Sequence, residues 1–366
     1  MHVLHTVKKR GWSGETHAIV LLAKGLRARG ERVTVAAAPD SESARRARAA
    51  GVDVLDVRFE KPRIALPRIA DGAKLKEFVR EQRVDVVHCH ASFDHWVAAA
   101  TLRRLGCLVV RTKHNRKDVA RHFLNRWLYT RATDAVVAVS DAVRDDLRAT
   151  GFFPQDVPVL RYGLDLEPFD AVDRAEARRR LGWTGRVLLY LGRITERKRV
   201  DRVLEAGARL RARFADLTTV IVGGGEEPLV AGLRSRFEGP HARFLGPRDD
   251  VAELLAAADL FCCPSRGEAF GLAPLEAMAA GCPVVLTDEA GFREFATDGE
   301  NALLVGDGAV DGLVGAIGRL LDDGELAQRL AAAGRVTARA FSIDGFVERY
   351  RKLYGELLAA RAQRRF

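Results

Sequence analysis

The sequence predicts two consecutive doubly wound α/β units, each a parallel sheet with helices on both faces. Three observations carry this. At about 150 residues per domain, 366 residues make two domains. Short apolar runs, many of them β-branched, alternate with helical patterns along nearly the whole chain, as strands buried on both faces require. The alternation halts once, at the turn-rich RYGLDLEPFD (161–170), and then restarts.

In the first half, strands are expected at 2–7, 33–38, 52–57, 84–88, 107–111, 134–139 and 157–160. Helical patterns fall near 15–29, 41–50, 72–82, 94–105, 118–131 and 140–149. After the link, a helix in AEARRRLGW (175–183) leads to strands at 186–191, 217–222, 242–245, 259–263, 283–287 and 302–305. In segment 342–366, Phe346, Tyr350, Leu353, Tyr354 and Leu357 form one apolar stripe, so this last helix packs on something. The expected domains are 1–165 and 166–341, with 342–366 packing back towards the N-terminal domain.

Apolar residues at 48% and charged residues at 30% exclude fibrous, disordered and disulfide-stapled classes. No apolar run reaches ~18 residues and MHVLHTV reads as a first strand, so neither a membrane span nor a signal peptide is expected. The five cysteines lie in apolar stretches with no zinc spacing, and read as buried free thiols of a reducing cytosol. Charge is uneven: residues 1–165 carry 30 Lys/Arg against 19 Asp/Glu, and residues 166–366 carry 29 against 30. A basic first half suits an anionic partner or reflects an Arg-rich composition.

The second half holds the strongest motifs. In VLLYLGRITERKRVDRVLEA (187–206) a strand ends at Gly192, and Arg193 and Lys198 follow on the loop. A guanidinium can fork onto two diphosphate oxygens and an ammonium adds a point charge; a solvated basic loop is the alternative. VIVGGGEE (220–227) is a glycine turn that reads equally as backbone approach to a ligand or as a tight turn. In ADLFCCPSRGEAFGLAPLEAMAAGCPVV (258–285) a strand leads through a loop into a helix. There the free N–H groups of Phe270, Gly271 and Leu272 make an anion site. Glu268 suits sugar hydroxyls and Glu276 a ribose; alternatively Glu276, near N3, caps its own helix.

These motifs resemble those of retaining GT-B glycosyltransferases of family 4, and the resemblance covers nearly the whole chain. Its carriers are the Gly192–Arg193…Lys198 loop, the turn at 223–225, FLGPRDDVAELLAAADLF (244–261) and, most specific, the E-x7-E segment from Glu268 to Glu276. GWSGETHAIVLLAKGLRARGERVTV (11–35), DVVHCH (85–90), DAVVAVSDAV (134–143) and RYGLDLEPF (161–169) support it. Three positions depart from the family pattern: Ser13 for the first of paired glycines, Tyr162 for Asn, and Arg199 for a Gly after the loop lysine.

The resemblance implies two Rossmann-like domains facing a central cleft, with a nucleotide-sugar donor held mainly by the second. Arg193 and Lys198 would bind its diphosphate, Glu268 the donor sugar, and Glu276 the ribose. Phe270, Gly271 and Leu272 would supply backbone donors, and Gly14 would approach the diphosphate from the first domain. His90 would sit near the reacting sugar. Negative charge grows on the leaving diphosphate, where these cations stand. No D-x-D occurs, so no metal or other cofactor is expected. A front-face reaction follows, in which the departing phosphate oxygen takes the acceptor proton.

His88 and His90 are expected to face opposite ways at a strand end, one in the core and one towards the crevice. His114 is placed on the acceptor side. RTKHNRKDVARHFLNRWLYTR (111–131) has seven Lys/Arg, one Asp, and Phe123, Leu124, Trp127 and Leu128 at helical spacing. Such a helix suits an anionic membrane surface or packs its aromatics into the core; KPRIALPRIADGAKLK (61–76) adds basic charge. A lipid-linked or lipopolysaccharide-type acceptor would explain both. The expected place is the cytoplasm, peripheral on the inner face of the cytoplasmic membrane. A UDP-sugar is favoured over GDP-mannose. The alternative is a non-catalytic nucleotide-sugar binding or scaffold protein of the same fold. Nucleic acid is not an expected partner, because no recognition helix or stacking module is present.

Overall fold

The computed structural model describes residues 1–59, 69–102, 105–153 and 157–363. The basic stretch at 61–68 therefore lies outside the described residues. The chain forms two compact units: Met1–Gly163 with Ile343–Phe366, and Leu164–Ser342.

Unit 1 has six parallel strands: β1 His2–Val7, β2 Arg32–Ala37, β3 Asp53–Asp56, β4 Val86–Cys89, β5 Leu108–Lys113 and β6 Ala135–Ala138. Their order is β3-β2-β1-β4-β5-β6. The expected seventh strand at 157–160 is only a bridge between Ala138 and Val159. On one face Leu4, Val87 and Val109 pack against Leu75, Val79 and Leu102. The last helix, Ile343–Gln363, belongs to this unit and buries Phe346, Val347, Tyr350 and Tyr354. Gly25 admits it: a Cβ there would stand 2.4 Å from Val347.

Unit 2 repeats the plan with β7 Val187–Leu191, β8 Thr218–Val222, β9 Ala242–Gly246, β10 Leu260–Cys263, β11 Val284–Thr287 and β12 Leu303–Val305. The order β12-β11-β10-β7-β8-β9 is that of unit 1 read from the other edge. Each sheet thus reverses direction between its first and fourth strands, where a doubly wound sheet opens a crevice beyond its carboxyl ends. All five cysteines are buried free thiols.

The segment 111–131 is not one helix. Residues Arg111–Lys113 end β5, and the helix spans only Phe123–Arg131, capped by His122 accepting from the Asn125 amide. Leu128 is 1% exposed, while Phe123 is 77% and Leu124 48% exposed. Phe123 lies on a different side of the helix from Leu128, whereas Leu124, one turn before Leu128 on the same side, is left exposed in the first turn.

Candidate active site

The carboxyl ends of β7 and β10 flank the reversal point of unit 2. The β7 loop holds its place through backbone pairing: Gly192 N–H donates to Val222 O and Ile194 N–H to Gly224 O, both at 2.9 Å. The glycine turn makes this approach possible. A Cβ on Gly223, whose φ is +133°, would lie 2.0 Å from Gly192 O, and one on Gly225 2.1 Å from Ile194 O. Arg199 adopts φ +52°, which explains the glycine of the related pattern. Its buried guanidinium donates to Asp307 O.

Lys198 donates to Glu268 Oε1 at 2.7 Å and Arg197 to the same oxygen at 2.9 Å. Arg197 also donates to Arg266 O at 3.0 Å, and Arg266 N–H returns a bond to Arg197 O at 2.9 Å. Gly267 N–H donates to Glu289 Oε2 at 3.0 Å. The β10 loop is therefore clamped by the β7 loop on one side and by the segment after β11 on the other. Burial alone would raise the Glu268 pKa, but Lys198 and Arg197 outweigh it and hold the carboxyl below its ordinary range. Arg193 stands exposed and joins no salt bridge among the described residues.

The helix Leu272–Ala279 starts from Gly271 at φ +104°, a cap residue with no side chain to accept from its first amides. A Cβ on Gly271 would lie 2.5 Å from the Phe292 ring. Phe270 packs its own ring against Phe295 and Phe341. Glu276 is the fifth residue of this helix, not near N3 as expected, because the helix begins at Leu272. That position is too far along for a capping box, and Glu276 is buried.

Unit 1 presents a different chemistry at its own reversal point. Ser13 caps the helix Gly14–Ala28, with Thr16 completing a reciprocal capping box, so Gly14 is the first helical residue. His5 on β1 lies in register with His88 on β4. The rings of His88 and His90 are 4.1 Å apart, which corrects the expectation that they face opposite ways. Residues two apart on a strand share a face, since the side-chain period is two.

His5 Nδ1 meets His90 Nε2 at 3.0 Å, His90 Nδ1 meets His114 Nε2 at 2.9 Å, and His114 Nδ1 meets the Tyr162 hydroxyl at 2.6 Å. His88 lies between the hydroxyls of Tyr354 at 2.6 Å and Thr112 at 2.7 Å. Asp94 accepts from Thr6 Oγ1 at 2.7 Å and from the His90 amide at 3.1 Å, and so fixes the backbone of His90. Burial, and then neighbouring rings and the Arg111 cation, push His88 and His90 well below the ordinary histidine pKa. Burial and Arg111 do the same to His114, and burial takes His5 to about 3. His5, His88 and His90 are grouped closely enough to ligate a metal ion. Their nitrogens are already committed to hydrogen bonds, His5 Nε2 excepted.

Two family models divide the chain: Glycosyltransferase Family 4 over residues 12–168 and Glycosyl transferases group 1 over 173–337. The phosphatidyl-myo-inositol mannosyltransferase of Mycolicibacterium smegmatis is 32% identical over 284 residues, which are 75% of this chain and 71% of that protein. The chain is a family 4 glycosyltransferase. The D-inositol 3-phosphate glycosyltransferase of Actinosynnema mirum is 31% identical over 303 residues, 74% of this chain and 72% of the relative. Among solved structures, Anabaena HepE in complex with UDP-glucose shares the fold at TM-score 0.85 and 21% identity, with 98% of this chain and 100% of that one covered.

In this glycosyltransferase, Lys198 and Glu268 meet directly, with Arg193, Leu272 and Glu276 on the same two loops and helix. His90 and His114 meet each other in unit 1. Sequence reasoning missed Arg197 and Glu289, which hold the Glu268 loop, and it missed His5 and Tyr162, which complete the histidine group. The strand pairing was the available signal for His5: the first and fourth strands of a doubly wound sheet are neighbours.

Proposed function

We propose that this glycosyltransferase moves a sugar, with retention, from a UDP-sugar to an acceptor hydroxyl on a lipid-linked or lipopolysaccharide-type glycan. The observation that carries the donor reading is the convergence of Lys198, Arg197 and Glu268 beside the exposed Arg193 and the uncapped start of the helix Leu272–Ala279. Fixed cations and helix amides suit a diphosphate that gains charge as the glycosidic bond breaks. A bound diphosphate would compete with Glu268 for Lys198, freeing the carboxylate to accept from sugar hydroxyls. Glu276 takes the ribose, while Phe270, Gly271 and Leu272 donate through their backbone. The resemblance assigns Gly14 to the diphosphate and His90 to the reacting sugar, and the place of His114 after the end of the next strand puts it on the acceptor side. The departing phosphate oxygen then takes the acceptor proton. UDP is favoured by the ligand of HepE.

The name of the mycobacterial relative supports a lipid acceptor. So does the exposed pair Phe123 and Leu124, set among Arg121, Arg126 and Arg131. Membrane association follows as peripheral docking of unit 1 on an anionic surface; no described helix is long and apolar enough to cross a bilayer.

Thermal unfolding with UDP, GDP, ADP and CMP tests the donor. UDP at ~100 times its dissociation constant should stabilise by about 2.7 kcal/mol, and Arg193→Ala should abolish the shift. A shift with GDP alone would replace the UDP assignment, and no shift with any nucleotide would remove the donor site.

A further inference from the structure

Glu268 Oε1 accepts from two cations at once, Lys198 Nζ at 2.7 Å and Arg197 Nη1 at 2.9 Å. The side chain that carries this oxygen is only 9% exposed. The two cations are held differently. Lys198 Nζ makes no other hydrogen bond among the described residues, and its flexible four-carbon stem lets it turn. Arg197 Nη1 donates also to Arg266 O at 3.0 Å, and Arg266 N–H donates to Arg197 O at 2.9 Å. The guanidinium is thus tied to the main chain of the loop that carries Glu268, and leaves the carboxylate only by giving up that loop as well.

The remaining groups around the carboxylate carry no charge. Tyr190 on β7 and Cys263 on β10 are kept protonated by burial, and the third is the Ser265 hydroxyl. Lys198 and Arg197 are the cations that hold the Glu268 carboxyl below its ordinary range against burial. A buried carboxylate without a compensating cation takes up a proton instead of staying charged.

We propose that Arg197 is a positioning residue for Glu268: it holds the carboxylate in place when Lys198 turns to the donor diphosphate. The inference rests on the donor reading above. Lys198 is the cation that changes partner, and Arg197 is the one that stays. Glu268 remains charged through the exchange and keeps both oxygens as acceptors for sugar hydroxyls. Without Arg197 the same exchange would leave the carboxylate alone beside a diphosphate, and it would bind a proton.

The test is calorimetric titration of the full chain with UDP-glucose, in buffers of different ionisation enthalpy, which counts the protons taken up on binding. UDP-glucose is a fully ionised diphosphate diester between pH 6 and 7 and contributes none itself. Arg197→Met keeps an unbranched stem and removes the cation. Its binding should take up close to one proton more than that of the unsubstituted protein, and its affinity should fall by up to about tenfold per pH unit between pH 6 and 7. Arg197→Lys restores a cation and should return the proton count to that of the unsubstituted protein. An equal count in Arg197→Met and the unsubstituted protein would overturn the proposal, since weakening by one factor at every pH is what a merely structural arginine predicts. Glu268→Gln decides even if Arg197→Met does not fold. With Arg197 present the carboxylate binds no proton, so Glu268→Gln should leave the pH slope of UDP-glucose affinity unchanged; an altered slope would overturn the proposal. Failure of the donor reading looks different: UDP-glucose would not bind the unsubstituted protein at all, and both readings would go.

Discussion

The two units place opposite chemistries at the same topological point. Beyond β7 and β10, unit 2 gathers Lys198, Arg197 and Glu268 as ion pairs, the two cations partly exposed and the carboxylate buried beneath them. Between β1, β4 and β5, unit 1 gathers His5, His88, His90 and His114, all buried and held neutral. One sheet order, β3-β2-β1-β4-β5-β6 and its counterpart, thus serves two ends. The doubly wound fold fixes where the strands end and leaves free what stands there.

The sharpest break of this comparison is Lys198→Ala. In the proposed reading it removes a fixed cation from the leaving diphosphate, and kcat for sugar transfer should fall by about 10²–10³, as for loss of one preorganised electrostatic donor. Steady-state assays would check it. Loss of UDP binding with kcat unchanged would confine Lys198 to the ground state.

Acid should separate the units next. The buried histidines have folded pKa values below 6.5, so the unfolded chain takes protons that the native one refuses. Their contribution is fully present above pH 6.5 and is lost as pH falls, for His5 over the window from 6.5 down to about 3. Between pH 6.5 and 5.5 each such ring should cost about 1 kcal/mol. Hydrogen exchange should show β1, β4 and β5 losing protection over that step. Glu268, whose pKa is lowered, gives unit 2 stability that is lost only as pH falls through the carboxylate range. Equal loss of protection in both sheets between pH 6.5 and 5.5 would contradict the contrast.

Gly223→Ala tests unit 2 in the other direction. Its Cβ would meet Gly192 O at 2.0 Å in a backbone conformation that disfavours side chains. Unfolding of unit 2 in urea should become easier by about 2 kcal/mol, with unit 1 unaffected. The smallest expected effect is at the surface of unit 1. Phe123→Ser with Leu124→Ser should weaken flotation with anionic vesicles by about 1–2 kcal/mol and leave stability within about 0.5 kcal/mol.

Much of this was legible in the chain. The strands of both sheets are local apolar runs, and Gly192, Gly223 and Gly271 punctuate them at the loops that matter. The E-x7-E segment names Glu268 and Glu276 because their spacing is carried by one loop and one helix. Other features were not readable locally. The strand expected at 107–111 runs on to Lys113, and the helix expected over 118–131 forms only at Phe123–Arg131. Arg197 reads as a solvated charge until the chain brings Arg266 and Glu268 to it from 69 and 71 residues away.

By itself the sequence determined the number of units, the order of strands and helices, and the loops that carry Arg193, Lys198, Glu268 and Gly271. Those are consequences of apolar period, glycine conformation and charge, all local along the chain. Tertiary structure decided which side chains touch. His5, His90, His114 and Tyr162 span 157 positions between the first and the last, since 162 − 5 = 157. They meet only because parallel pairing sets β1 beside β4 and β4 beside β5. Whether those rings carry charge was settled there too, since burial is a property of the packed sheet and not of any residue in it.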